Sequence, residues 1–211
     1  MGRDTRSRRR QPSEPPAFSK ELHDWLRHGH DKTLAGLNQL FGEKTFAIAF
    51  IILMALPALP LPTGGITHVT EIITMLLCLE LIAGRPSVWL PQRWQRVDVS
   101  KLLSGRGARR LVAFIAWFER WSRRRWGAWL ERRSILSGRA IILFLFTLAA
   151  FVAPPFSGLD TLPALGVVVM SLGLILQDAL IVGIGVIAGV LGIGLEIIAG
   201  AALYDGLVHI F

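Results

Sequence analysis

The chain has 211 residues, of which 52% are hydrophobic and only 18% are charged, and its formal net charge is +8. Soluble domains usually carry about 25% charged residues, so this composition argues against both a disordered basic tail and an ordinary soluble enzyme. The single cysteine excludes an intramolecular disulfide and any metal site that needs several thiolates.

The charges are distributed very unevenly. All 23 Lys and Arg residues lie in residues 3–139, and residues 140–211 contain none. Asp160, Asp178, Glu196 and Asp205 are the acidic residues of that last stretch, which is otherwise an apolar run broken by Pro and Gly. It is long enough for about two or three membrane segments. Hydropathy therefore predicts an integral membrane protein.

The N-terminal half divides into two predicted segments. Residues 1–17 are basic, with no apolar stretch close behind them, so they are not a signal peptide. We expect a disordered arm there, either solvated or in contact with anionic lipid. Residues 18–84 are predicted to contain an amphipathic helix (18–41) and a first membrane hairpin, whose apolar run at 45–61 meets prolines before a second apolar helix at 66–83.

Residues 85–139 are basic and rich in tryptophan, with 14 of the 23 basic residues and six of the seven Trp. Their spacing predicts an amphipathic helix at 107–134 that lies in the lipid interface. Its apolar face is predicted to contain Leu111, Phe114, Ile115, Phe118, Trp121, Trp126 and Trp129. Nucleic-acid binding through Arg and stacked Trp is the alternative, and we do not expect it because membrane hairpins flank the segment.

Residues 140–211 are predicted to form a second hairpin and a C-terminal transmembrane helix at 182–203. The second hairpin is similar to the first: Pro154-Pro155 corresponds to Pro60-Leu61-Pro62, and a glycine follows each turn. We interpret this as an internal repeat; the alternative is that two apolar hairpins look alike by composition. The predicted fold is thus an all-α integral membrane protein with two similar Pro/Gly-broken hairpins, a basic amphipathic connection and a Gly-rich last helix.

The basic segments predict the topology. The positive-inside rule puts residues 1–17 and 85–139 in the cytoplasm, which makes the chain a multi-pass protein with a cytoplasmic N-terminus. Each Pro/Gly turn then either reaches the far face or stops inside the membrane as a re-entrant loop.

Glu71 is the acidic residue most suggestive of function, because a carboxyl group at membrane depth is costly. Thr67, Thr74 and Cys78 share its helix face, and His68, one turn earlier, could pair with it. A polar pathway or binding site is the functional interpretation, and an interhelical hydrogen bond is the structural one.

Four further candidates for the polar site lie elsewhere in the chain: Glu80, Gln177, Asp178 and Glu196. Glu196 shares a helix face with four glycines that are spaced for close helix packing: Gly185, Gly189, Gly192 and Gly200. Asp178, beside Gln177, is expected either to form a structural ion pair or to line a polar crevice. No catalytic motif, cofactor site or metal cluster is recognisable, and the five histidines are dispersed.

A family resemblance adds to this interpretation. The stretch Glu80-Leu81-Ile82-Ala83-Gly84-Arg85, continued by Pro86-Ser87-Val88-Trp89-Leu90-Pro91, resembles the ExoD family of bacterial exopolysaccharide-synthesis proteins. Leu172-Gly173-Leu174-Ile175-Leu176-Gln177-Asp178 with Gly183 resembles it too, and the resemblance covers about residues 35–200. Ala179 stands where glycine is usual in the family, and Glu80 where glutamine is usual.

The resemblance implies an inner-membrane protein linked to exopolysaccharide production, with no established catalytic residue. A non-enzymatic accessory role is the first hypothesis, and a small transporter or ion pathway is the second. Arg85 and Trp89 are expected at the interface, where Arg85 could contact a lipid or sugar phosphate. The expected partners are a bilayer with anionic headgroups, polysaccharide assembly proteins and a second copy of the chain, and no cofactor is expected.

Overall fold

The computed structural model describes residues 18–28, 33–60, 65–85, 88, 106–122, 133–154 and 157–208. Every regular element in these ranges is an α-helix, which confirms the all-α prediction. In chain order the helices are α1 (Phe18–His28), α2 (Leu34–Phe41), α3 (Glu43–Met54), α4 (Gly65–Ile82), α5 (Arg106–Trp121), α6 (Arg133–Val152), α7 (Thr161–Leu176) and α8 (Ala179–Val208). The described residues do not include the predicted arm at 1–17 or three of the tryptophans: Trp89, Trp126 and Trp129.

The amphipathic helix predicted at 18–41 is two helices, α1 and α2, rather than one. The Thr33 hydroxyl caps α2, since it accepts a hydrogen bond of 3.2 Å from the Gly36 N–H. Gly42, with φ of 50°, then separates α2 from α3 in a conformation that other residues rarely adopt.

Glycine also ends α4. Gly84 has φ of 76°, the Arg85 N–H donates to the Glu80 carbonyl at 3.2 Å, and the Gly84 N–H donates to the Leu81 carbonyl at 3.0 Å. These two bonds form a Schellman motif, which satisfies carbonyls that the helix end would otherwise leave unpaired. Arg85 is exposed just beyond this end.

The segment after α4 is tied back to α2 by one side chain. The Asn38 amide donates to the Val88 carbonyl at 2.9 Å and accepts from the Val88 N–H at 3.0 Å. Val88 itself is buried at 6% exposure. Two residues fifty positions apart are thereby joined by a pair of hydrogen bonds.

Helix α7 is at the centre of the bundle and packs against α3, α6 and α8, while α4 packs against α3 and α6. The contact between α7 and α8 is the most extensive. Glycines make it close: a Cβ built on Gly166 would lie 2.7 Å from the Gly189 Cα, and one on Gly173 would lie 2.6 Å from the Val182 nitrogen. Because these pairs run in opposite directions along the chain, α7 and α8 are antiparallel.

Helix α5 buries part of the apolar face predicted for it. Ile115 is 0% exposed and Phe118 is half-buried, whereas Phe114 is 40% exposed and Trp117 is 54% exposed. Of the predicted apolar face, Ile115 packs in the core and Phe118 lies partly buried against it, whereas Phe114 lies outside beside Trp117. The helix ends at Trp121, whereas 107–134 was predicted.

The bundle is apolar on its outside and contains polar side chains within. One helix of the described residues, over Ala179–Ala202, is long and apolar enough to cross a membrane by length and composition. Many large apolar side chains on the outer faces of three helices are more than a third exposed: Val69, Ile72, Leu76 and Leu79 on α4; Ile141, Leu145, Leu148 and Val152 on α6; and Leu180, Ile184, Ile187, Val190, Leu191, Leu195, Ile197 and Ile198 on α8. Thr67, Glu71, Thr74, Thr147 and Ser171 are among the buried polar residues.

Candidate functional site

The start of α4 lies against the end of α6 at one end of the bundle. The rings of His68, in the first turns of α4, and Phe151, near the end of α6, are in edge contact with their centroids 5.3 Å apart. Asp160, directly before α7, lies close enough to His68 and Glu71 for their charges to interact. The start of α4, the end of α6 and the start of α7 are thus brought together here.

Glu71 is the most buried acid of this end, with a side chain that is 0% exposed. Its Oε2 lies 2.9 Å from His68 Nδ1, and the His68 side chain is 33% exposed. Its Oε1 is buried and has no hydrogen-bond partner within the described ranges. Thr67, Thr74 and Cys78 on the same helix face are also buried. His68 therefore links an enclosed carboxylate to the surface.

Glu196 reaches the same end from α8. A Cβ built on Gly192, one turn earlier, would lie 2.5 Å from the Pro163 Cδ, which fixes this part of α8 against the first turn of α7. Glu196 interacts electrostatically with Asp160. Its Oε1 and the hydroxyl of Thr161 are both buried, and each lacks a hydrogen-bond partner in the part of the chain that the structure describes.

We call His68, Glu71, Asp160, Thr161 and Glu196 the polar cluster. Asp160 lies in the turn before α7, where burial raises the pKa of its carboxyl while its own backbone N–H, His68 and the Thr161 N–H act in the opposite direction. Three buried oxygens of the cluster, on three different helices, lack a partner among the described residues. Since a buried acceptor without a donor is costly, the cluster favours an occupant that supplies protons or hydrogen-bond donors.

The cluster is not arranged as a metal site. No group of three His, Cys, Asp or Glu side chains within the described residues is placed to hold a metal ion. Within the described residues, the hydrogen bond between His68 and Glu71 connects a partly exposed side chain to a carboxyl group inside the bundle.

The other predicted polar residues lie at the opposite end of α7, roughly 24 Å away at 1.5 Å per residue. Gln177 ends α7 in a left-handed conformation with φ of 54°. The Asp178 Oδ1 accepts from the Leu180 N–H at 3.0 Å, which caps α8, and its Oδ2 accepts from the Ser122 hydroxyl at 3.0 Å. Glu80 and Arg85 lie at the end of α4, where the Glu80 carbonyl takes part in the helix cap. These residues are not part of the polar cluster.

The predicted glycine seam on α8 is close-packed at three of its four positions. Gly185 faces Met170, Gly189 faces Phe146 and Gly166, and Gly192 faces Pro163. Gly200 differs, because a Cβ built there meets no atom within 4 Å. The packing seam therefore ends near Gly192, where α8 extends past the start of α7.

Asp160 and Thr161 were not identified as site residues from the sequence, although both belong to the cluster. Asp160 stands immediately before a helix and is one of only four acids in the basic-free last third. That pattern was sufficient to single it out, but its proximity to Glu71 depends on how α4 packs. Asn38, which holds Val88, carried no recognisable pattern.

The comparisons with known proteins agree with the resemblance found in the residues. The family described as "Exopolysaccharide synthesis, ExoD" matches residues 18–198. An uncharacterized protein of Synechocystis sp. is 31% identical over 183 residues, which is 82% of each chain. No solved structure matches. The predicted family resemblance is thereby confirmed.

Proposed function

Because the chain belongs to the ExoD family of exopolysaccharide-synthesis proteins, we propose that it is a non-enzymatic accessory of exopolysaccharide synthesis or export. It is a multi-pass protein of a bacterial plasma membrane, with its N-terminus in the cytoplasm. It contacts anionic lipid through its basic segments and acts with polysaccharide assembly proteins.

The single observation that supports membrane embedding is the apolar outer surface of the bundle, which leaves some of the polar side chains inside. Ile187, Ile197 and Ile198 on α8 are each more than 60% exposed, while Glu71 and Thr74 are 0% exposed. Contiguous apolar patches of this extent are rare on soluble monomers. In a lipid bilayer, acyl chains would cover this apolar surface.

Deletion of the gene tests the role in exopolysaccharide production. We expect a lower yield or an altered composition of secreted polysaccharide, with restoration by the wild-type chain supplied in trans. Fractionation of the same cells should recover the chain with the membranes. Unchanged polysaccharide in the deletion strain would contradict the accessory role.

A small transporter or a proton or ion pathway is the second candidate, and the polar cluster favours it. Ionisable residues within membrane helices commonly mark substrate or ion routes. The cluster contains Glu71 and Glu196, each with one unpartnered buried oxygen within the described residues, and His68, whose side chain is one-third exposed.

Charge-neutral variants separate the two candidates in a polysaccharide complementation assay. A pathway requires the carboxylates, so Glu71→Gln and Glu196→Gln should each abolish complementation while the protein still accumulates in membranes. Glu119→Gln on α5, far from the cluster in the sequence, is the matched control. Full complementation by both cluster variants, and by Asp178→Asn, would exclude the pathway.

The internal repeat and the course of the turns remain predictions of the same proposal. Helix α3 packs on α7 and α4 packs on α6, and exchange of the two hairpins would interchange these two contacts, which supports a repeat. Helix α3 spans about 18 Å at 1.5 Å per residue, which is short for a bilayer. In a Cys78→Ser background, labelling of Thr63→Cys and Ser157→Cys from outside would indicate full crossing, and protection from both sides would indicate re-entrant loops.

A further inference from the structure

A groove of about 620 Å³ lies among α1, α2 and α3, apart from the polar cluster. Its volume is within the range of roughly 300–1,000 Å³ that is typical of small-molecule sites. It is lined by acidic side chains and His28 from α1, by a lysine from α3, and by an apolar wall from α1 and α2.

The acidic side of the groove is formed by Glu21 and Asp24. They are three residues apart on α1 and so share one helix face, and Asp24 is exposed. Two neighbouring carboxylates attract a cationic group and repel a ligand that is only anionic. This part of the groove therefore favours an ammonium group.

The opposite charge is supplied by Lys44 at the start of α3. Its Nζ lies 5.3 Å from the centre of the Phe18 ring, and this cation–π contact helps to orient the amine. Phe18 and Trp25 in turn pack edge-on against Phe41, with centroids 5.3 and 6.3 Å apart. The lysine is thus a positioned partner for a phosphate.

The apolar wall extends away from these charges. Leu40 is 59% exposed, and it lines the groove beside Phe41. Lys44 directly precedes the buried run from Thr45 to Ile48, the first part of the apolar α3. In a membrane-embedded chain this position corresponds to the level of the headgroups, with apolar surface on the lipid side.

We propose that the groove binds the headgroup of a phospholipid that carries an ammonium group, as in phosphatidylethanolamine. The ammonium lies at Glu21 and Asp24, the phosphate lies at Lys44, and the beginning of an acyl chain lies along Leu40. The proposed site depends on the proposed membrane location. It adds the class of lipid, because the acidic pair favours a headgroup with an ammonium group over an anionic headgroup.

Native mass spectrometry of the full-length chain in detergent tests the proposal, with phosphatidylethanolamine and phosphatidylglycerol of identical acyl chains as probes. Because the basic segments also bind phosphatidylglycerol, the measured quantity is the ratio of the two affinities. We expect the groove to shift this ratio toward phosphatidylethanolamine by at least about tenfold, which corresponds to about 1.4 kcal/mol. The double variant Glu21→Gln with Asp24→Asn should lose this preference, and Lys44→Met should weaken binding of both lipids.

Lys20→Met is the matched control, because Lys20 is exposed on α1 but does not line the groove. It should bind both lipids as the wild type does. A further variant, Glu21→Lys, should shift the preference toward phosphatidylglycerol. A ratio of the two affinities that is unchanged in the double variant would overturn the proposal. Since no polysaccharide enters this measurement, its failure is distinguishable from failure of the gene-deletion test.

Discussion

His68 Nδ1 lies 2.9 Å from Glu71 Oε2, while Glu71 Oε1 has no hydrogen-bond partner within the described ranges. The imidazole is one-third exposed, and the carboxylate is completely buried. Among the described residues, only His68 therefore forms a hydrogen bond with the Glu71 carboxylate. The consequences of losing either residue are therefore unequal.

His68→Ala should lower the free energy of unfolding by about 1–3 kcal/mol, because it leaves a buried carboxylate with neither oxygen paired. Glu71→Gln should cost less, since the amide oxygen still accepts from the imidazole. Thermal unfolding of the purified chain in detergent measures both. His28→Ala, at an exposed position on α1, is the control; a loss in His68→Ala no larger than in this control would contradict the expectation.

Gly185→Ala should destabilise the bundle by about 1–3 kcal/mol, the typical range for overpacking. The added Cβ would lie 2.7 Å from the Met170 Cα, so α7 and α8 would have to separate. Gly183→Ala on the same helix meets nothing within 4 Å and should be neutral or slightly stabilising. The pair is compared by midpoint of thermal unfolding, and the prediction fails if both variants behave alike.

Asp178→Ala should lower stability by about 1–2 kcal/mol, because it removes the cap of α8 together with the Ser122 contact. Asp178→Asn should retain most of the cap, and Ser122→Ala should lose only the contact between the two segments. Amide hydrogen exchange in the first turn of α8 distinguishes these losses. Faster exchange there in Ser122→Ala than in Asp178→Ala would be inconsistent with a capping role.

Asn38→Ala should release the segment at Val88, because it removes both hydrogen bonds between the two residues. At about 1 kcal/mol per bond, exchange of the Val88 amide should accelerate by more than tenfold. Asn38→Asp keeps the acceptor for this amide and should show a smaller acceleration. If Asn38→Ala leaves the exchange rate of Val88 unchanged, the contact does not hold the segment.

Ile187→Lys distinguishes a lipid-facing surface from a water-facing one. Ile187 is 61% exposed in the middle of α8. In lipid a lysine at this depth costs about 2.5–3.5 kcal/mol on insertion scales, whereas in water an exposed substitution is nearly neutral. We expect a reduced amount of the chain in the membrane fraction. Ala113→Lys, exposed on α5, should leave the amount unchanged; equal recovery of both variants would argue against embedding of α8.

Much of the helical organisation was predictable from local chemistry. The apolar runs before Pro57 and Pro154 and the glycine at 84 indicate where helices end, because proline and positive-φ glycine interrupt a helix wherever they occur. Patterning was less reliable where two apolar faces compete. In α5, Ile115 packs in the core as its place on the predicted apolar face suggests, whereas Phe114 of the same face lies outside beside Trp117. Which residues of a face are buried depends on which neighbour the helix meets.

The sequence alone determined the all-helical class, the family, and the apolar last third with its few acids, since composition, periodicity and local motifs depend on neighbouring residues. Only the tertiary structure decided which acids of the chain lie close enough to interact electrostatically. Glu71, Asp160 and Glu196 are separated by up to 125 positions in the chain, and close packing of α8 on α7 at Gly192 brings the last two together. Asp178 was instead placed as a helix cap at the other end. The contacts between distant helices arise from packing, and a pattern of neighbouring residues does not encode them.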